Sequence, residues 1–398
     1  MNRRLSVGAR RRLPSSLASP NLCRRAGLTA AMMMAGLLTC LPAARAADLS
    51  KDIRTASDEG QYTSEISSYV QGQTAIIASD ADPAEASRAR ESLLDNVRGL
   101  VEPSPAFLDA YEAQLNQSLA NLLAPTNSIR VRLNAAIVVA EVAAIAQDAQ
   151  MAQLVVKELS DPSEAVVLWG LKAAREVIPP ALAVPSLKAQ LIKAVQNAAF
   201  RLPSSGPVVS AAYNALAVGN KPNQSPVDLI APIQRLLDWR IKQYATGIPP
   251  EPPADAIATS FLTERGVWTQ APAQQIGTAQ RIVNLIVAAT TVLPNAQQED
   301  HDELILLLRK TGEAIYVVGI NDADATLQAA CTPLTKVDLR PPPLPPLQAA
   351  KESIAGLVAK FPSLRVPAGF APAAAPTAPV SSTPATPVTP TPAAPANP

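Results

Sequence analysis

The chain carries one histidine, His301, set inside the acidic run Glu299-Asp300-His301-Asp302-Glu303. A Ser-His-Asp hydrolase would have to use it, because no other imidazole exists to take the serine proton. A zinc held by one histidine and carboxylates is an uncommon catalytic ligand set. Glu299 and Glu303 stand one helical turn apart, so with Asp302 they could hold a hard divalent cation. The same acids follow Asn295, with Gln298 three residues on, and read equally as the first turns of a helix, where negative charge is stabilised by the helix dipole. Arg309-Lys310 would then complete the dipole match. The plainer expectation is a solvated helix start, with no metal and no cofactor. Glu299, His301, Asp302 and Glu303 are the fallback metal ligands.

Other chemistry is sparse. There is no Walker loop, dinucleotide fingerprint, H-E-x-x-H, C-x-x-C or G-x-S-x-G. A glycosidase needs only two distant carboxylates, but aromatics, at 4%, are scarce for stacking sugars. The sequence therefore predicts a protein that is not an enzyme, with an enzyme using a carboxylate or metal site near His301 as the alternative. Asp322 and Asp324 read as another helix start, and Asp80-Ala81-Asp82 as an interhelical turn. Tryptophan is enriched at binding hot spots, which makes Trp169 and Trp268 candidate partner-binding residues. Trp268, after Gly266-Val267 in an expected loop, is the better surface candidate; Trp169 and Trp239 are expected in the core.

The chain's ends are unlike its middle. Residues 1–46 contain eight arginines, no lysine and no acid. An uncharged apolar stretch from Ala26 ends at Ala44-Arg45-Ala46, the order of a secretory signal with cleavage between Ala46 and Ala47. Arginine-rich, acid-free segments also describe organellar transit peptides, and Arg24-Arg25 could form a twin-arginine signal. Leu37-Leu38-Thr39-Cys40 looks like a bacterial lipobox, although Thr39 fits its last position poorly. The expected location is the periplasm or the cell exterior, with a lipid anchor through Cys40 as the alternative. Cleavage would remove Cys23 and Cys40, leaving Cys331 without an intrachain partner; a small buried residue at a helix end is expected there. At the other end, residues 366–398 are uncharged and rich in Ala, Pro and Thr. Such a segment predicts a disordered tail.

This division corrects the charge. The whole chain has 34 basic and 33 acidic side chains, a net of +1. Without residues 1–46 it has 26 basic against 33 acidic, a net of −7. A body of that sign lacks the basic footprint of a nucleic-acid binder. Sixteen of the 39 prolines fall in residues 341–398. The Pro341–Pro346 run marks a boundary, followed by one short helical candidate at Leu347–Phe361.

Between 48 and 340 the apolar residues recur at helical spacing. Tyr62, Ile66, Tyr69, Val70, Gln73 and Ile76–Ile77 mark one face; Leu229, Ile230, Ile233, Leu236, Leu237, Ile241 and Tyr244 mark another. Asp82-Pro83-Ala84-Glu85 and Asp161-Pro162-Ser163-Glu164 read as an acidic N-cap, proline at the first helical position and a glutamate three residues after the cap. Ile282–Leu293 is apolar but too short to span a bilayer. It and Leu133–Ala146 are expected as core helices, with no transmembrane helix after the signal.

The strongest organising signal is a period. Ala135-Ala136, Ala173-Ala174 and Ala211-Ala212 recur every 38 residues, with Leu133, Leu171 and Val209 in the same phase. Pro125, Pro162 and Pro203 introduce the three blocks. A helical run precedes each pair's helix: Ala106–Leu123, Gln150–Ser160 and Pro185–Phe200. A two-helix unit of this size cannot bury its own apolar face and must stack on its neighbours.

Here the sequence resembles the HEAT-repeat family, over about residues 104–218. Leu154–Val166 looks like the family's first helix and Asp-Pro turn. Val131-Arg132-Leu133-Asn134-Ala135-Ala136 is similar to its second-helix motif, Val-Arg-x-x-Ala-Ala. The next two units, Trp169–Ala174 and Pro207–Ala212, lack the arginine. The resemblance implies an all-α solenoid and a role in protein-protein interaction, with an unknown protein as partner. The expected organisation is a signal at 1–46, N-terminal helices at 47–103, HEAT-like repeats at 104–220, a C-terminal helical region at 221–340, a proline-rich linker with one helix at 341–365 and the tail at 366–398.

Overall fold

The computed structural model describes residues 49–58, 60–98, 102–218, 226–337 and 345–371. The expected signal with Ala46 and Ala47, the cysteines Cys23 and Cys40, and the tail beyond 371 lie outside the described residues. Among those described, every regular element is a helix.

The first nine helices are α1 (Lys51–Arg54), α2 (Thr63–Ser79), α3 (Pro83–Arg98), α4 (Pro105–Leu122), α5 (Ile129–Ala146), α6 (Ala152–Leu159), α7 (Glu164–Ala181), α8 (Pro185–Arg201) and α9 (Gly206–Leu216). The remainder are α10 (Val227–Gln243), α11 (Asp255–Thr263), α12 (Arg265–Gln270), α13 (Gln275–Val292), α14 (Gln298–Asn321), α15 (Ala325–Ala330), α16 (Thr332–Thr335) and α17 (Pro346–Lys360).

Small side chains set the packing. Ala135 and Ala136 on α5, Ala173 and Ala174 on α7, and Ala212 on α9 are wholly buried, while Ala211 is partly covered. The 38-residue alanine rhythm thus falls on three helices that pack in succession, α5 on α7 and α7 on α9. Helix α3 packs on α5 before them, and α11 on α9 and α14 after them. A second set of contacts joins α2 to α4, α4 to α6, α6 to α8, α8 to α10, α10 to α13 and α13 to α17. Contacts between the two sets close each pair, from α2·α3 to α13·α14. One glycine shows the tightness: a Cβ on Gly170 of α7 would lie 2.8 Å from Glu158 Cβ on α6.

The caps hold local register. Ser104, Ser128 and Ser205 accept the amides of Phe107, Val131 and Val208 at the starts of α4, α5 and α9. Asp82 accepts Ala84 N–H at 2.8 Å ahead of α3, as its Asp-Pro pattern predicts. The second Asp-Pro pattern is shifted. Ser163 occupies the N-cap of α7 and Glu164 is the first helical residue. Asp161 lies back in the turn, accepts Ser163 N–H at 2.7 Å and pairs with Arg132, so a buried cation outcompeted the capping role. Asn295 does not cap α14 either; that helix begins at Gln298 after Gln297. It also runs on to Asn321, which puts Arg309 and Lys310 in its middle rather than at its far end.

The apolar C-terminal half is a core of the same kind. The α13 region, Pro272–Asn295, has the length and composition of a membrane span, with mean hydropathy 1.4, and 50% of its apolar window is buried within the protein. Ile282, Val283, Leu285, Ile286 and Ala289 are closed off against α10, α14 and α17. Helix α17, expected as the one short helix of a proline-rich linker, docks through Ala349, Ala350, Ile354 and Leu357. The chain stays docked past the expected tail boundary at 366. Gln280 brackets Arg365 with two hydrogen bonds, and Phe370 is 9% exposed. Aromatic burial therefore holds residues 366–371 on the fold despite their proline-rich neighbourhood.

Candidate functional site

An open groove of about 690 Å³ lies between α9, α11 and α14. Ile257, Ser260 and Phe261 of α11 line one side; Leu306, Lys310 and Val317 of α14 line another, with Asn214 of α9 at its edge. Helix α14 carries apolar side chains on its outer as well as its inner face. Its inner face buries Leu304, Leu307, Leu308, Ile315 and Val318. Its outer stripe runs Leu306, Lys310, Glu313, Val317 and Ile320 at helical spacing. Leu306 is 41% and Ile320 51% exposed, and Lys310 pairs with Glu313 at 2.8 Å.

Behind the groove, a buried ionic hub fixes α11. Asp255 opens that helix with no exposed surface, and its Oδ1 lies 2.9 Å from Arg240 Nε on α10. The Tyr213 hydroxyl on α9 donates to Oδ1 at 3.0 Å, and the Tyr244 hydroxyl donates to Oδ2 at 2.9 Å. Arg240 also donates to the Pro250 carbonyl at 2.9 Å. Burial, followed by the Asp255 charge, pushes both tyrosine hydroxyls well above their ordinary range, so they remain donors. Tyr213 precedes Asn214, so the hub sets the spacing of the walls. Nothing in the local sequence marks Arg240 or Asp255 as partners, because they meet only through the packing of α10 against α11.

The acids around His301 occupy the first turns of α14. Asp302 accepts from Gln298 at 2.9 Å, and His301 Nδ1 lies 3.6 Å from Asp302. Glu303 is pushed up by partial burial and by Asp300, Glu251 and Glu299. Among the described residues, one trio of acidic side chains gathers its oxygens within 4.8 Å, and it is elsewhere; Glu299, His301, Asp302 and Glu303 do not converge. Of the expected helix-start pair, Asp324 caps α15 through Thr326 and Leu327 N–H, whereas Asp322 closes α14.

Trp268 is not a surface residue. It lies in α12 at 2% exposure, donates through Nε1 to Asp322 Oδ1 at 2.9 Å and meets Phe361 edge-on with ring centroids 6.2 Å apart. The docked chain after α17 covers the indole, a long-range contact that no local pattern announces. Trp169 is half-buried on α7, with Lys172 Nζ 4.5 Å from its ring. Lys172 also pairs with Glu141 of α5, which pairs with Arg98 of α3 at 2.6 Å, a charge ladder across three successive helices. Lys172 holds Glu141 below its ordinary range, with Arg98 assisting and partial burial opposing. Trp239 is partly buried against Phe200, and Cys331 is a buried free thiol at the end of α15. No protein-family model, curated protein or solved structure matches the chain.

Proposed function

We propose that this chain is a non-catalytic protein-binding module, a HEAT-like solenoid of stacked two-helix units, exported by its arginine-rich N-terminal signal. Two parallel series of helix contacts running from α2 to α17 support the stacked reading and extend it beyond the alanine rhythm. The observation that carries the binding role is the outer stripe of α14. Leu306 is exposed and Val317 partly exposed along an open groove, and Ile320 is exposed further along the same helix, while the inner face is already used for the core. The groove suits an amphipathic segment of a partner protein, with apolar side chains against Leu306, Val317 and Phe261 and polar ones toward the Lys310–Glu313 pair.

The test is affinity capture from the native envelope with wild-type protein and with a Leu306→Asp, Val317→Asp variant. Both residues lie on the outer stripe, so the helical circular-dichroism signal should be unchanged. A protein recovered by wild type and lost with the variant supports the groove. Equal recovery by both, or loss only when the chain beyond 371 is deleted, rejects it.

A further inference from the structure

One group of acids has no structural partner of opposite charge. Asp109 and Glu112 lie one turn apart on α4, and Asp148 follows the left-handed C-cap Gln147 in the turn from α5 to α6. One oxygen from each of the three carboxyl groups lies within 4.8 Å of the others. Glu112 has no exposed surface, and neither of its carboxylate oxygens accepts from an N–H or hydroxyl donor. Among the described residues, no lysine or arginine forms an ion pair with any of the three.

The two outer acids are held in place from behind. Gln150 Nε2 donates to Asp109 Oδ1, and Gln150 N–H donates to Asp148 Oδ1, each at 2.8 Å. Asn116 in turn donates to the Gln150 carbonyl at 3.1 Å. Donors that orient ligand carboxylates are the usual outer layer of a metal site. Three carboxylates gathered in one place repel one another, and a bound cation would relieve that repulsion.

We propose that Asp109, Glu112 and Asp148 bind one calcium ion. The donor set is oxygen only, which selects a hard cation. Calcium takes oxygens at about 2.3–2.6 Å, so ligands on opposite sides of the ion lie about 4.6–5.2 Å apart. The three oxygens lie within 4.8 Å of one another, inside that limit. Magnesium keeps several waters and is usually held by one or two carboxylates, so a set of three carboxylates favours calcium. Asp109 and Asp148 are partly exposed, which leaves water able to complete the coordination shell. The ion would staple α4 to the α5–α6 turn, and this does not depend on the groove's role.

The test uses full-length protein stripped with a chelator and titrated with calcium chloride, followed by calorimetry and by thermal unfolding. A single site and a rise of a few degrees in the unfolding midpoint are expected. Asp148→Asn, a change in a turn outside the helices, should weaken binding at least about tenfold and leave the helical signal intact. Glu112→Gln should abolish binding. Asp302→Asn, in the other acidic cluster, should change neither readout. The proposal is overturned by no heat and no midpoint shift up to about 10 mM calcium, beyond the ~10⁻³ M range of weak extracellular calcium modules. Unchanged affinity in Asp148→Asn, loss in Asp302→Asn, or equal affinity for magnesium would also overturn it.

Discussion

Arg132 on α5 reaches Asp161 in the turn between α6 and α7, Nε to Oδ2 at 2.9 Å, with side-chain exposures of 9% and 3%. Arg132 also donates to the carbonyls of Pro125 and Asn127, at 3.2 and 2.7 Å. One buried ion pair therefore ties the turn before α5 to the turn before α7. Arg132→Met should cost about 3–5 kcal/mol, because it leaves the Asp161 charge buried without a counter-ion. Adding Asp161→Leu should recover part of that loss. Urea unfolding of the two single variants and the double variant gives the coupling; simple additivity would mean that the pair does not hold the turns together.

Asp255 should be the most sensitive acid in the C-terminal half. It is wholly buried and satisfies one cation and two hydroxyls. Asp255→Asn keeps the shape but strips Arg240 of its counter-charge, at a cost of about 3–5 kcal/mol. Tyr213→Phe removes one hydrogen bond and should cost only about 1–2 kcal/mol. Denaturant midpoints that rank the two variants the other way would place the hub's stability in the hydroxyls instead.

Glu158 gives the protein a pH dependence of unusual sign. It lies wholly buried on α6, its oxygens have no partner, and burial with Asp161 nearby pushes its carboxyl well above the ordinary 4.5. Its folded pKa is raised, so above the unfolded value the native state holds a proton that the unfolded chain has released. Stability then falls with rising pH, by up to about 1.4 kcal/mol per unit between 4.5 and the folded pKa. Glu158→Gln removes this dependence. The variant should gain on wild type as unfolding is measured from pH 5 to pH 8; a constant difference across that range would show that Glu158 is not protonated in the fold.

Gly356 is where α17 crosses α15 without a side chain between them. A Cβ there would lie 2.1 Å from Ala330 Cβ, while Ser353 Oγ donates to the Ala330 carbonyl at 2.6 Å. Gly356→Ala gains helix propensity of about 1 kcal/mol but forces the helices apart. A net cost of about 1–3 kcal/mol is expected. Hydrogen exchange read by mass spectrometry should quicken across Pro346–Lys360 and around Trp268, which Phe361 covers. Unchanged exchange would mean that α17 tolerates the extra methyl by sliding.

Much of the architecture is legible in the sequence because it is written in local periodicity. Apolar spacing near 3.6 places α2 and α10, and small residues at a fixed phase place α5, α7 and α9 side by side. Proline and serine or aspartate mark where several helices begin. These signals act within one or two helical turns, so a linear reading recovers them. The misplaced N-cap at Asp161 marks the limit of that reading. Locally, Asp-Pro-Ser-Glu is a helix start; only the arrival of Arg132 from another helix makes the aspartate part of a buried pair.

The sequence by itself determined an all-helical body, the alanine contacts of α5, α7 and α9, and a net charge that becomes −7 once the basic N-terminal segment is set aside. Only the tertiary structure decided which charges go inside. Arg240 meets Asp255 across intervening turns, Trp268 is covered by chain more than ninety residues downstream, and Asp109, Glu112 and Asp148 converge from two places. Periodicity sorts faces into apolar and polar, but it says nothing about which polar residue faces which. That pairing depends on the crossing of helices distant in sequence, and the high cost of leaving a buried charge unpaired then makes it specific.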